Sequence, residues 1–341
     1  MRVCLLLGGN EEGGLEQHFI HLANELARTS QQVEVYVIAH GKYRNRFTDL
    51  IHFVALPLNQ SRRNPWLLLR LILSINKISP DVIHAHANKA TALLATIKSM
   101  VPGKKVATLH SQKKNLRMYQ KMDLVIGVSN NVLKKLRKVE TKVIYNSLPK
   151  CFIQSSKIPL SKAALNIHND KLIVVFVGRL VAVKGVDILL QAWKNVDANL
   201  LLIGEGEDFS HLKKIIDDDL EISNVQFLGF RNDVAAILDI ADLTVVSSYR
   251  EGFCYVVAES LFMRTPIVST NVPIANEVLP SKYIVTPGHV SELHDTIVET
   301  LQHLAEAELD FLPLYEFARE SFNEEAMIKS LMGSYEKLMN R

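Results

Sequence analysis

The feature that most restricts this chain is an alternation, run through twice, of short β-branched segments with stretches of helical period. RVCLLL, VEVYVIA, DVIHAH, KVATLH, DLVIGVS and KVIYNS occupy the first half; KLIVVFVGR, ANLLLIGEG, NVQFLGF, DLTVVSS and TPIVST occupy the second. Between them, as over Gly14 to Arg28 and Val186 to Trp193, apolar residues recur at three and four positions. Strand, helix, strand in both halves predicts an α/β chain of two doubly wound parallel sheets. A length of 341 residues suits two such domains. The polar, pattern-poor stretch CFIQSSKIPLSKAALNIHNDK marks the seam, so the predicted domains are 1–155 and 171–323 with a linker at 156–170. The tail 324–341 reads as an amphipathic helix with Met327, Ile328, Leu331, Met332, Tyr335 and Leu338 on one side.

Several function classes fall away on composition. The longest apolar run, Trp66 to Leu73, is interrupted by Arg70, which excludes a transmembrane helix of roughly 20 residues. MRVCLLLGGN is too short in apolar residues for a signal-peptide core, so a cytoplasmic protein is expected. Cys4, Cys151 and Cys254 are an odd number without CxxC spacing and suggest reduced thiols rather than a disulfide framework or a zinc site. Charge is strongly asymmetric. Residues 1–150 hold 23 Lys+Arg against 9 Asp+Glu, a net +14, and the remainder holds 16 against 27, a net −11. A basic half implies an anionic partner: nucleic acid, an acidic membrane surface or a phosphorylated substrate. Aromatic residues are sparse there and no nucleic-acid module is present, so no nucleic-acid partner is expected.

Ligands of open parallel sheets bind beyond the carboxyl ends of the strands, and four loops there are unusual. GGNEEGG puts Gly13 and Gly14 ahead of a helix, as a tight turn or as a close approach to an anion or sugar. It lacks the GxGxxG spacing of a dinucleotide fingerprint, and VEVYVIA ends at His40 rather than at an acid, which disfavours nicotinamide binding. VGRLVAVKG frames Arg179 and Lys184 between Gly178 and Gly185; two cations in an apolar stretch fit a diphosphate clamp better than two surface ion pairs. IGEGEDF offers Gly204 and Gly206 at a strand end. In EGFCYVVAES a helix beginning near Phe253 would set Glu251 before its N-terminus and Glu259 about two turns in, roughly 12 Å along. The amides of Gly252, Phe253, Cys254 and Tyr255 would then face a diphosphate. Glu259 sits among Val256, Val257, Ala258, Leu261 and Phe262, where a buried carboxylate needs donors such as two ribose hydroxyls.

These motifs in this order, Gly-Arg-(x)4-Lys-Gly, Gly-Glu-Gly, Asp-Leu-Thr-Val-Val-Ser-Ser and Glu-x7-Glu followed by RTPIVST, resemble the family-4 retaining glycosyltransferases of GT-B fold over nearly the whole chain. The resemblance implies two Rossmann-like domains facing across a cleft, with the last helix crossing back to the first domain. It implies a hexose-type sugar moved from a nucleotide diphosphate sugar to an envelope glycan, lipopolysaccharide core or a lipid-linked saccharide. Arg179 and Lys184 would hold the diphosphate, Glu259 the ribose and Glu251 the transferred sugar. Gly13 and Gly14 would face the donor, and His110 would approach the sugar, although a satisfied core histidine is an equal reading of that residue; His84 and His86 read as structural. Cys254, Tyr255 and Asn146-Ser147 depart from the family pattern, which bears on donor identity. No Asp-x-Asp motif lies on a loop, and Asp217 to Asp219 read as a solvated face, so no metal and no cofactor are expected. A sugar-nucleotide epimerase on the same fold is the alternative. The clusters Arg62-Arg63, Lys113 to Lys121 and Lys134 to Lys138 add an expectation of peripheral contact with the anionic inner face of the cell membrane.

Overall fold

The structure, a computed structural model, describes residues 1–9, 13–29, 32–155, 160–167, 170–219 and 222–340. Parts of the expected linker, 156–159 and 168–169, and Asn10 to Glu12 of the first glycine-rich loop lie outside the described residues. The chain forms two compact units, Met1–Ser147 with Glu324–Arg341, and Leu148–Asn323. The division falls at Ser147 rather than at 155 because the helix Lys150–Ser155 packs in the second unit, where Phe152 joins a cluster with Ile173, Val175 and Ile237.

The first unit is built on a seven-stranded sheet: β1 (Arg2–Leu7), β2 (Glu34–Ala39), β3 (Ile51–Ala55), β4 (Val82–His86), β5 (Lys104–Leu109), β6 (Leu124–Gly127) and β7 (Glu140–Val143). Their order is β3-β2-β1-β4-β5-β6-β7, and every pair is parallel. Alternation along β1 sends Val3, Leu5 and Leu7 to one face and Cys4 and Leu6 to the other. The first face is covered by the helix Gly14–Thr29 and by the helix Glu324–Met339, whose Met327, Ile328, Leu331, Tyr335 and Leu338 enter the same core. The second face is covered by the helices Pro65–Ile78 and Ala87–Ile97.

The second unit carries six parallel strands: β8 (Ile173–Val177), β9 (Asn199–Ile203), β10 (Val225–Gly229), β11 (Leu243–Val246), β12 (Ile267–Thr270) and β13 (Ile284–Val285), ordered β10-β9-β8-β11-β12-β13. Strand order reverses between β1 and β4 in one sheet and between β8 and β11 in the other. Such switch points open a crevice at the carboxyl ends of the central strands. The loops after β8 and β11 are those that carry Arg179, Lys184 and Glu251. Two strands escaped the sequence reading. β3 is an edge strand whose His52 and Ala55 face solvent, although Phe53 to Leu56 is an apolar run that the reading passed over, and β13 is only two residues long. Among the described residues no helix is long and apolar enough to cross a membrane.

Candidate functional site

In the second unit the loop after β8 is fastened on two sides. Toward β9, Gly178 N donates to Ile203 O at 2.9 Å and Leu180 N to Glu205 O at 2.9 Å. That approach requires glycine at 204, where φ is +133° and a Cβ would lie 1.9 Å from Gly178 O; a Cβ on Gly206 would lie 2.1 Å from Leu180 O. Gly204 and Gly206, expected to let a ligand pass close to backbone, are accounted for here by loop-on-loop packing that sets the backbone of Arg179 between them. Arg179 itself is exposed and, among the described residues, has no ion pair.

Toward β11, the chain turns at Gly185 with φ +63°, and a Cβ there would strike Ser247 O at 2.3 Å. Ser247 Oγ donates to Lys184 O at 2.9 Å and Tyr249 N to Val183 O at 2.9 Å. The two loops are thereby locked together, and Lys184 Nζ meets Glu251 Oε1 at 2.6 Å. Ser248 Oγ donates to the same oxygen at 2.8 Å, while no group among the described residues donates to Oε2. Both side chains of the pair are mostly buried, so their attraction is only weakly screened by solvent.

The helix after this loop runs Tyr255–Met263 and is capped at Cys254, two residues later than the sequence suggested. Of the four amides expected only that of Tyr255 belongs to the helix, and Val257 N already donates to Cys254 O at 3.1 Å, so the free helical amides begin with Tyr255 and Val256. Phe253 and Cys254 are buried, with Phe253 packed edge-on against Phe322 at 5.9 Å between ring centroids and against Tyr255 at 5.0 Å. These two side chains belong to the core and can serve a ligand only through their backbone; Gly252 and Tyr255 remain partly open. Burial pushes the Cys254 thiol up, with Glu251 adding to the shift, so it stays protonated. Glu259 is not enclosed by its apolar neighbours as expected. Val256, Val257, Ala258, Ser260 and Leu261 are buried, but Glu259 keeps a partial opening. Partial dehydration pushes its carboxyl up to about 7, against the pull of the Lys184 ammonium.

In the first unit His110 follows β5 and is half-buried. It belongs to a cluster of four imidazoles that sequence reasoning did not assemble. His84 and His86 alternate with Ala85 on β4 and stand 4.2 Å apart, His86 lies 5.5 Å from His110, and His18, on the helix Gly14–Thr29, lies 5.3 Å from His110. The period-two spacing of HAH was the available signal, since it puts both rings on one side of the strand. His84 is saturated by Tyr335 Oη at 2.6 Å and Thr108 Oγ1 at 2.7 Å. His86 Nδ1 lies 3.4 Å from His110 Nε2, and His86 Nε2 is buried without a partner among the described residues. Burial holds His18 and His84 down to about 3 and His86 and His110 well below the ordinary range, reinforced by repulsion from His21 at His18 and from other members of the cluster at the remaining three, so all four are neutral at pH 7. Gly13 and Gly14 stand at the start of the helix Gly14–Thr29, and a Cβ on Gly14 would meet open space. For a metal, the described residues offer His21, Glu25 and Glu324, whose ligand atoms lie within 4.8 Å of one another, away from Lys184 and Glu251 in sequence and in unit.

Comparison with known proteins covers both units. Residues 12–149 match the family model described as Glycosyltransferase Family 4, and residues 157–308 match Glycosyl transferases group 1. The chain is 27% identical over 272 residues, 76% of each chain, to the lipopolysaccharide core biosynthesis glycosyltransferase LpsE of Rhizobium meliloti. Among solved structures it is similar to a glycosyltransferase from Rickettsia africae (TM-score 0.83, 16% identity, covering 100% of this chain and 99% of that one). It is also similar to Anabaena HepE in complex with UDP-glucose (TM-score 0.77, 21% identity, covering 99% and 100%).

Proposed function

Because this chain belongs to the glycosyltransferases, family 4 in its first unit and group 1 in its second, with the GT-B fold, we propose that it moves a hexose-type sugar from a nucleoside diphosphate sugar to a glycan of the cell envelope, with retention at the anomeric carbon and without a metal. The observation that carries the reading is the Lys184–Glu251 pair, locked beside the open Arg179 at the switch point of the second sheet. An ammonium has three donors, so Lys184 can keep Glu251 and still meet a phosphate oxygen. Arg179, Lys184 and the amides that open the helix Tyr255–Met263 stabilise the charge that grows on the β-phosphate as the bond to the sugar breaks. Those cations take the part a divalent ion plays in other transferases. Glu259 accepts from the ribose hydroxyls in its ionised form. Glu251 accepts from a hydroxyl of the transferred sugar through Oε2, its unoccupied oxygen. The acceptor hydroxyl attacks on the face the diphosphate leaves, and a phosphate oxygen takes its proton. In the first unit the neutral imidazole of His110 offers a sugar hydroxyl one hydrogen bond.

The acceptor is an envelope saccharide, such as lipopolysaccharide core or a lipid-linked glycan, by likeness to LpsE as that relative is named. Peripheral attachment to an anionic cytoplasmic leaflet has support in the helix Pro65–Ile78, which exposes Trp66 (73%), Leu69 (47%) and Leu73 (60%) along one ridge beside Arg62, Arg63, Arg70 and Lys77. Apolar insertion with flanking cations is the pattern of an interfacial helix. Incubation with UDP-glucose, UDP-N-acetylglucosamine and GDP-mannose, followed by NMR of the anomeric proton in the product, tests the reaction. Transfer or slow hydrolysis with an α-configured product from an α-linked donor is the expected result. Release of a free epimer without an acceptor, or no turnover of any nucleotide sugar, overturns it.

A further inference from the structure

The first unit holds a concavity of about 650 Å³ that none of the roles above accounts for. Its wall brings together Arg62, Lys89, Lys113, Lys114, Arg117 and Lys121, and no acidic residue lines it. These cations come from three separate segments: the turn before the helix Pro65–Ile78, the first turn of the helix Ala87–Ile97, and the loop that follows β5. Lys89 donates to Asn59 O; none of the other five has an ion pair among the described residues. Six cations with no carboxylate among them raise the local positive potential and make the hollow a site of attraction for an anion, and its volume lies within the range of small-ligand sites.

We propose that this hollow is the subsite for a phosphomonoester carried by the saccharide acceptor. The inference rests on the transferase reading and names the chemical class of the molecule that receives the sugar. Guanidinium and ammonium groups are the usual partners of phosphate oxygens, and Arg62 and Arg117 can each bind a phosphate bidentately. Ala92, Ala95 and Met118 supply apolar lining against which the carbon face of a sugar ring packs. Asn88 accepts from the Tyr119 hydroxyl at 2.9 Å, which leaves its amide N–H groups for a sugar oxygen. The lining has no aromatic side chain on which a base could stack, which disfavours a nucleic acid. A concave site also differs from the convex ridge of Trp66, Leu69 and Leu73 suited to a membrane. One end of the hollow, at Asn88, Lys89 and Lys113, lies just past the ends of β4 and β5, and from there it runs along the helix Ala87–Ile97 to Thr96; the charge of Lys113 is near enough to His110 to help lower its proton affinity.

The test uses the full chain and a soluble probe, glucose 6-phosphate, with glucose and glucuronate as controls, in calorimetric titration at about 0.1 M salt. Glucose 6-phosphate is expected to bind, glucose not at all, and glucuronate at least ten-fold more weakly. Lys114→Ala/Arg117→Ala, both at exposed positions, should weaken the phosphosugar at least ten-fold while leaving binding to phosphatidylglycerol vesicles in place. Trp66→Ser/Leu73→Ser should do the reverse. Lys113→Glu serves if the double variant does not fold. Glucose 6-phosphate binding that survives in the Lys114→Ala/Arg117→Ala or Lys113→Glu variant belongs to the diphosphate site and overturns the proposal, as do no binding to the unaltered chain, equal binding of glucuronate, or loss of vesicle binding in the Lys114→Ala/Arg117→Ala variant. Failure of the transferase reading is read separately, from UDP-glucose turnover.

Discussion

The two units share a plan, parallel strands whose order reverses at the centre, yet the buried groups at the ends of their central strands differ in chemistry. Along β4 and just past β5 stand histidines held neutral by burial, whose hydrogen-bond partners among the described residues include no carboxylate. Beyond β8 and β11 stand charges: Arg179 in the open, and Lys184 joined to Glu251 at 2.6 Å. The backbone architecture supplies a crevice in both, and the side chains decide what each crevice can meet. Neutral imidazoles suit hydroxyls, which need direction more than charge; locked cations suit a diphosphate, whose charge rises during the reaction.

The contrast is most exposed by Lys184→Ala. Removal of a preorganised cation should lower the transfer rate by about 10² to 10³, with circular dichroism unchanged, whereas His110→Ala should lower it by roughly ten-fold, the scale of one neutral hydrogen bond. Equal losses in the two variants, measured as kcat/KM with one donor, would remove the distinction. Glu259 gives the next effect in size. Its carboxyl titrates near 7 and binds ribose hydroxyls when ionised, so affinity for UDP-glucose should rise roughly ten-fold between pH 6 and 8. The diphosphate of a nucleotide sugar does not titrate there, and Glu259→Gln should give a weak, flat profile. A slope that persists in Glu259→Gln would place the titrating group elsewhere.

Stability should separate the units as well. His18 and His84 have folded-state values near 3 against about 6.5 in an unfolded chain. The unfolded state therefore binds more protons below pH 6.5, so the stability their neutral forms permit is complete above that pH and falls as pH drops toward 3, by up to about 1.4 kcal/mol per unit for each group. Glu259 works in the other sense. Its folded value of about 7 exceeds the usual 4.5, so acidification from 7 to 4.5 relieves a strain of the second unit. Hydrogen exchange at pH 7 and 5 should show protection lost in β1, β4 and β5 before β8 and β11; simultaneous loss would count against two differently tuned centres. The smallest expected effect is that of EDTA, which should leave transfer unchanged if Arg179 and Lys184 serve in place of a metal. Loss restored by one divalent ion would refute that assignment.

Much of this was legible from the residues. Eleven strand segments were read from β-branched runs, because a strand buried on both faces must be apolar almost throughout. β13 was not, since two residues leave no run to see, and β3 was passed over although Phe53 to Leu56 is apolar; the edge strands β7 and β10, no better buried, were read. Arg179, Lys184 and Glu259 stood out because charge in an apolar frame needs a partner, and Glu251 because it stands just before a helix N-terminus, eight positions ahead of Glu259. The partner of Lys184 did not, because Glu251 lies 67 positions away and only the locking of two loops brings it near. Gly204 and Gly206 looked like ligand contacts, as glycine at a strand end permits close approach without saying to what.

The sequence by itself determined the two parallel sheets, the loops that carry the chemistry and the charge difference between the halves, because periodicity, glycine placement and net charge are local or additive properties of the chain. Tertiary structure alone decided which oxygen of Glu251 Lys184 holds, that the helix begins at Tyr255 with Phe253 and Cys254 in the core, that four histidines share one neutral cluster, and that six cations line one hollow. Each of these depends on distances between residues far apart along the chain, and proton affinity, ion pairing and concavity arise only once packing has removed water from between them.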